Sequence, residues 1–195
     1  MLISTALLRW VSNEKGYGLF AKEFIPKGTI TFVNDQLDII LDPDNPKFKT
    51  EPYRTVLDKY AYNSPEGKLV LCWDFGKYMN HCCWPNTLTT GYGFDIAVSD
   101  IQKGEEITTD YGVISTGHHM IFSCEKKNCR NGIDIANFEE CARNWDLQIT
   151  EALGKTRSVA QPLWSLIPED ILQQLTLYLD GDKNKYLSVN DQKPK

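Results

Sequence analysis

The sequence lacks any long hydrophobic run: the most apolar stretch near its start, residues 1–11, is interrupted by Ser4, Thr5 and Arg9. It is too short and too broken for a membrane span, and it has no basic leader, so neither membrane insertion nor signal-directed export is expected. Positive charge is also in short supply: 21 Lys and Arg face 26 Asp and Glu, a net charge of −5. That balance opposes sequence-independent contact with a phosphate backbone, so direct nucleic acid binding is not expected, and cationic partners are mildly favoured. Internal repeats and low-complexity tracts are missing apart from the polar segment after Asp180, which reads as frayed.

What remains is an ordinary globular composition, 42% hydrophobic and 24% charged over 195 residues, enough for one core with an extension. The six cysteines are Cys72, Cys82, Cys83, Cys124, Cys129 and Cys141. Without an export signal they are expected to be reduced thiols, metal ligands or core residues of an intracellular protein, cytoplasmic or nuclear.

Short apolar, β-branched runs cut by Gly, Pro and Asn predict strands near residues 2–10, 18–23, 29–33, 37–41, 68–73, 94–98 and 106–109. Residues 42–52 carry three prolines and predict a loop leading into a short helix over 53–60. Further on the period changes: Ile135, Phe138, Ala142, Trp145 and Ile149 share one helical stripe, with Asn137 and Glu140 spaced as a capping box. A second helix is predicted over 168–179, stopped by Gly181. Strands first and helices last predict an α+β fold whose helical end packs against the β core.

Three segments concentrate chemistry. The first, Lys15-Gly16-Tyr17-Gly18-Leu19-Phe20-Ala21, offers two glycines where backbone can approach a ligand, yet lacks the third glycine of a dinucleotide site. The second, Asn80-His81-Cys82-Cys83-Trp84-Pro85-Asn86, packs directional polar groups into a turn, read equally well as a ligand contact or a buried structural turn. The third, residues 103–112, ends a strand in Asp110-Tyr111-Gly112.

In this order and spacing the three segments resemble the SET-domain protein-lysine N-methyltransferases. GYGLFAKEFIPKGT is similar to that family's first motif, NHCCWPN to its Asn-His-x-Cys-x-Pro-Asn motif, and GEEITTDYG to its last strand and Asp-Tyr-Gly. The resemblance implies a β-rich fold of small curved sheets with a knot-like crossing at the active site, plus a C-terminal helical extension. It divides the chain into a SET domain at 1–115, a post-SET-like segment at 116–133 and the extension at 134–195. It implies S-adenosyl-L-methionine as cofactor, held at Gly16, Tyr17 and Gly18 and at Asn80 and His81, with Tyr111 as the active-site tyrosine. Tyr60 and Tyr62 are candidate walls of the lysine channel, as alternatives to core packing. The implied substrate is a basic protein segment, histone-like or ribosomal.

Two departures stand out. Thr109 occupies the position two before Tyr111, often Phe or Tyr in the family, and its smaller side chain leans toward addition of more than one methyl. Cys83, Cys124 and Cys129 match three of the family's zinc ligands, but Phe122 replaces the fourth, so zinc is left open, with Cys82, His118, His119 or Cys141 as substitutes. Two rival readings are a catalytically silent SET-fold binding module and a cysteine hydrolase. The hydrolase needs a base for Cys82 or Cys83, and neighbouring strand residues such as His81 and Cys82 face opposite ways.

Overall fold

The computed structural model describes residues 1–64, 66–114, 120, 121, 123, 124, 126–133 and 137–192. The chain opens with β1 (Ala6–Ser12) and β2 (Gly16–Ala21), an antiparallel hairpin, then β3 (Ile30–Val33) and β4 (Ile39–Leu41). The proline-rich loop holds a single 3-10 turn at Pro46–Lys49 and leads into α1 (Tyr53–Tyr60), which occupies its predicted span. There follow β5 (Ala61–Asn63), β6 (Leu69–Leu71), a 3-10 turn at Phe75–Tyr78, β7 (Asn80–His81), β8 (Thr87–Thr89), β9 (Phe94–Ala97) and β10 (Glu106–Thr109). Helix α2 (Tyr111–Ile114), β11 (Met120–Ile121) and β12 (Gly132–Ile133) precede the long helices α3 (Phe138–Leu153) and α4 (Glu169–Leu179).

Three small sheets result, β1-β2-β10-β7, β3-β9-β8 and β4-β6-β5, with β11 and β12 as a separate pair. The fold is α+β, as expected. β3 and β9 are buried along their whole length, so their polar members Thr31 and Asp95 lie inside with the apolar ones. Beneath them, Leu19, Ile30, Leu88, Ile96, Ile101 and Ile107 lie in one core with Phe138, Ile149, Leu153 and Leu175 of the helices. The helical end therefore completes the same core as the strands.

The α3 stripe is confirmed from Phe138 to Leu153, while Ile135 lies outside the described residues. Asn137 does not cap through its side chain, because its backbone is already helical (φ −96°, ψ −4°). Gly181 ends α4 as predicted: at φ +111° its N–H reaches the Tyr178 carbonyl and the next N–H that of Leu177. The tail expected to fray is instead docked. Asp146 on α3 accepts from Tyr186 Oη (2.6 Å), Ser188 Oγ (2.5 Å) and the Val189 N–H (3.1 Å), and Val189 is fully buried. The Leu187 carbonyl lies 2.1 Å from where a Cβ on Gly91 would stand, so only glycine admits the tail there. No helix among the described residues is long and apolar enough to cross a membrane.

Candidate functional site

The second and third segments meet because β7 runs parallel to β10, with Asn80 opposite Thr108 and His81 opposite Thr109. β10 also pairs with β2, so the glycines of the first segment join the same sheet. Asn86 braces the meeting point, donating to the Glu106 carbonyl and accepting from the Thr108 N–H, both at 2.8 Å. That is the structural-turn reading of this asparagine.

Asn80 Nδ2 donates to the Tyr17 carbonyl (3.2 Å) and to Glu106 Oε1 (2.8 Å). A Cβ on Gly18 would lie 2.6 Å from that Glu106 oxygen and 2.8 Å from Asn80 Nδ2. Gly18 is therefore needed first for the protein's own side chains. Gly16 sits at φ +74°, with Lys59 Nζ 3.8 Å from its absent Cβ. Aromatic rings run from this edge: Trp10 to Tyr17 at 5.3 Å, Tyr17 to Tyr78 at 5.8 Å and Tyr78 to Tyr60 at 5.4 Å. A cation beside the turn and a row of π-faces suit a ligand carrying both a carboxylate and a sulfonium, so the residues present fit S-adenosylmethionine.

A cavity of about 430 Å³ adjoins this edge through Lys59 and Tyr60 and is lined by all four of Tyr60, Tyr62, Thr109 and Tyr111, but by none of Gly16, Tyr17, Gly18, Asn80 and His81. Tyr111 donates its hydroxyl proton to the Met79 carbonyl (2.8 Å), and burial pushes the phenol up to about 12, so it stays protonated. Tyr62 donates to Asn34 Oδ1 (2.8 Å) and is likewise raised by burial. Thr109 is 4% exposed and its Oγ1 has no hydrogen-bond partner.

A third cluster joins β7 to the segment after β11. His81 Nε2 is 3.2 Å from Cys83 Sγ, and Cys83 Sγ is 3.7 Å from Cys129 Sγ. His81, Cys83 and Cys124 offer ligand atoms within 4.8 Å of one another. Cys129 Sγ accepts the N–H groups of Cys124 and Asn131, which lower it to about 7, whereas burial raises Cys83 to about 12, so Cys129 ionises first. Thiol spacing near 3.7 Å matches adjacent corners of a tetrahedral site with metal–sulfur bonds of about 2.3 Å, so the donor set fits zinc. Among the described residues His81 is the further group beside these thiols, although its Nδ1 accepts the Tyr111 N–H (3.2 Å), which leaves the proton on the Nε2 that faces Cys83. Cys82 donates to the Trp84 carbonyl (3.3 Å) and its thiol also interacts with Cys124, Cys141 lies outside the group, and His118, His119 and Phe122 fall outside the described residues. Burial lowers His81 to about 4, against the pull of Asp110. A neutral imidazole beside an un-ionised Cys83 thiol is no activated nucleophile, which removes the hydrolase reading.

Sequence reasoning missed Asp110 as more than a motif letter. Fully buried, it accepts both Arg130 guanidinium nitrogens (2.8 and 2.6 Å), the Trp145 Nε1–H (3.0 Å) and the Gly112 N–H (3.0 Å). Its acid type next to Tyr111 was the available signal; Trp145 read only as core. Glu106, Lys59 and Met79 were missed as well, since each acts through a contact distant in sequence.

A family model described as the SET domain matches residues 16–112. The chain is 29% identical over 136 residues to the histone-lysine N-methyltransferase Set2 of Drosophila melanogaster, covering 63% of this chain and 6% of that protein. It is 29% identical over 161 residues to a histone-lysine N-methyltransferase, H3 lysine-36 specific, of Yarrowia lipolytica, covering 74% of this chain and 20% of that protein. The chain thus spans a minor part of the length of both relatives. A solved structure of KRYPTONITE in complex with mCHH DNA, an H3(1-15) peptide and SAH aligns at 18% identity with a TM-score of 0.44, over 62% of this chain and 28% of that one.

Proposed function

This chain belongs to the SET-domain family, and from that premise we propose that it transfers methyl groups from S-adenosylmethionine to the side-chain amine of a lysine in a basic protein segment such as a histone tail. The observation that carries the reading is the parallel pairing of β7 with β10, which sets Asn80 and His81 beside the strand leading to Tyr111. Around it lie a cofactor-suited edge and, sharing Lys59 and Tyr60 with it, a tyrosine-lined cavity.

Bound S-adenosylmethionine supplies an electrophilic methyl on a sulfonium. Gly16, Tyr17 and Gly18, with Lys59 as cation for the carboxylate, hold its methionine part, and Asn80 with His81 the adenosine side. A lysine amine is only about 0.1% neutral at pH 7.4, so the channel must favour the neutral form at the moment of transfer. Burial among Tyr60, Tyr62 and Tyr111 removes water from the amine and lowers its affinity for the proton. Because Tyr111 commits its proton to the Met79 carbonyl, its oxygen acts toward the cavity as an acceptor, orienting the amine through an N–H. It need not act as a base. Thr109 leaves room for an already methylated amine.

Zinc, where bound, would be held by Cys83, Cys124 and Cys129 and would tie the segment that carries Cys124 and Cys129 to Cys83 after β7. The Tyr111 N–H donates to His81 Nδ1 (3.2 Å), which leaves the ring proton on Nε2; ligation through Nε2 requires that bond to be given up and the proton moved to Nδ1, 3.7 Å from Asp110 Oδ1. The segment and the 134–195 extension then serve as a cover over the 1–115 unit, in an intracellular setting. Calorimetric titration with S-adenosylmethionine, beside a labelled-methyl assay on mixed histones, tests the reading. Wild type is expected to bind saturably and transfer; Tyr111→Phe should bind the cofactor normally and lose about 100-fold in transfer. No cofactor binding by wild type overturns it.

A further inference from the structure

The cavity contains a buried acid that the reading above does not use. Asp95 is the second residue of β9, with Phe32 of β3 as its register partner on one side and Thr89 of β8 on the other. Cross-strand partners share a face, and all three line the cavity. Asp95 is 7% exposed, and the hydrogen bond to its carboxylate comes from Thr89 Oγ1 at 2.7 Å. A carboxylate buried in an apolar sheet is costly unless a cation or several donors meet it. One hydroxyl is a thin complement. Thr109, which also lines the cavity, has its Oγ1 buried without a hydrogen-bond partner. Two under-satisfied polar groups lining one cavity mark where a ligand's donors belong.

We propose that Asp95 is the counter-ion this cavity offers to a primary alkylammonium, drawing the charged side chain of the substrate lysine into the channel and selecting it over neutral side chains of the same length. Identifying the alkylammonium as the target lysine rests on the methyltransferase reading; the cation site does not. The lining chemistry agrees with an alkylammonium: the walls include Phe32, Tyr60 and Tyr62, the charge is met by Asp95, and Thr109 Oγ1 takes an N–H. Asp95 thereby acts on capture, whereas removal of the proton belongs to the Tyr111 end, where the sulfonium's positive charge opposes the ammonium.

The other charged groups lining the cavity are Asp58 and Lys59 of α1 and Lys77 of the 3-10 turn; Lys77 Nζ is engaged with the Asp74 carbonyl at 2.7 Å. The titratable Tyr62 and Cys72 facing Asp95 from the neighbouring sheet are both held neutral by burial, and the Met1 amino group, which also senses Asp95, pairs with Asp35 at 2.8 Å.

The full chain titrated with n-butylammonium chloride at pH 7.5, followed by the amide resonances of Thr89, Asp95 and Thr109, decides the matter. Saturable shifts are expected in wild type, at least ten-fold weaker binding in Asp95→Asn, and a change of less than about two-fold in Asp58→Asn. Neutral n-butanol should bind at least ten-fold more weakly than the ammonium. Should Asp95→Asn fail to fold, wild type alone suffices: with the Asp95 carboxyl raised to about 6, binding should weaken about ten-fold from pH 7.5 to pH 5. Equal binding by wild type and Asp95→Asn, equal binding of butanol, or no saturable binding by wild type overturns the proposal. Failure of wild type to bind S-adenosylmethionine would instead overturn the methyltransferase reading and leave the butylammonium result standing.

Discussion

Asp110 and Asp95 are both acids buried in the centre of the molecule, yet their surroundings differ in kind. Asp110 is saturated, with a bidentate Arg130, an indole N–H and a backbone N–H. Asp95 faces a cavity and receives one hydroxyl on its carboxylate. A buried charge that is fully met ties elements together: Asp110 binds the strand-to-helix turn before Tyr111 to the 116–133 segment and to α3. One that is under-met holds stability in reserve for a ligand. The two regions teach that acid burial alone does not mark function; the count of donors around the acid does.

The sharpest way to break this comparison is to remove each acid and follow urea unfolding. Asp110→Ala removes the carboxylate that meets the Arg130 guanidinium and should cost about 3 kcal/mol, the low end for a broken buried pair because Arg130 keeps 29% of its side chain exposed. Asp95→Asn should act in the opposite direction. Burial raises the Asp95 carboxyl to about 6 in the folded state, above its usual 3.8. The folded protein thus holds this proton more tightly: the benefit is present below 3.8, fades as pH rises to about 6, and at pH 7 an ionised buried carboxylate is a net cost. Asn removes that cost, so stability at pH 7 should rise by about 1–3 kcal/mol while alkylammonium binding falls. Loss of stability in both variants would sink the distinction.

Smaller effects refine it. Cys124→Ser should abolish stoichiometric zinc by elemental analysis after purification without chelator, and lower the melting midpoint, with the cavity's butylammonium affinity unchanged. Thr109→Val replaces an unpartnered hydroxyl by a methyl and should stabilise by up to about 1 kcal/mol in thermal unfolding, while removing one donor partner from the channel.

Much of the fold was legible because its signals are local. α1 and β10 occupy their predicted spans, and α3 and α4 follow apolar stripes bounded by turn chemistry. Boundaries slipped where pairing overrode pattern: the strand predicted over 2–10 begins at Ala6, its first part making only an isolated bridge from Leu2 to Phe32. β7 and β8 were not predicted, since two or three residues carry no period. The tail was misread because polar composition conceals one deep contact, Val189 with its Asp146 anchor.

By itself, the sequence determined the helices α1, α3 and α4, the longer strands and the three motif segments, because each rests on residues a few positions apart: turn glycines, helical periodicity, an ordered run of side-chain types. Tertiary structure alone decided which of those residues meet. Arg130 and Trp145 reach Asp110 across 20 and 35 positions, Tyr186 reaches Asp146 across 40, and Asn80 reaches Tyr17 across 63. Such contacts follow from which strand lies beside which, and strand order leaves no periodic trace along the chain.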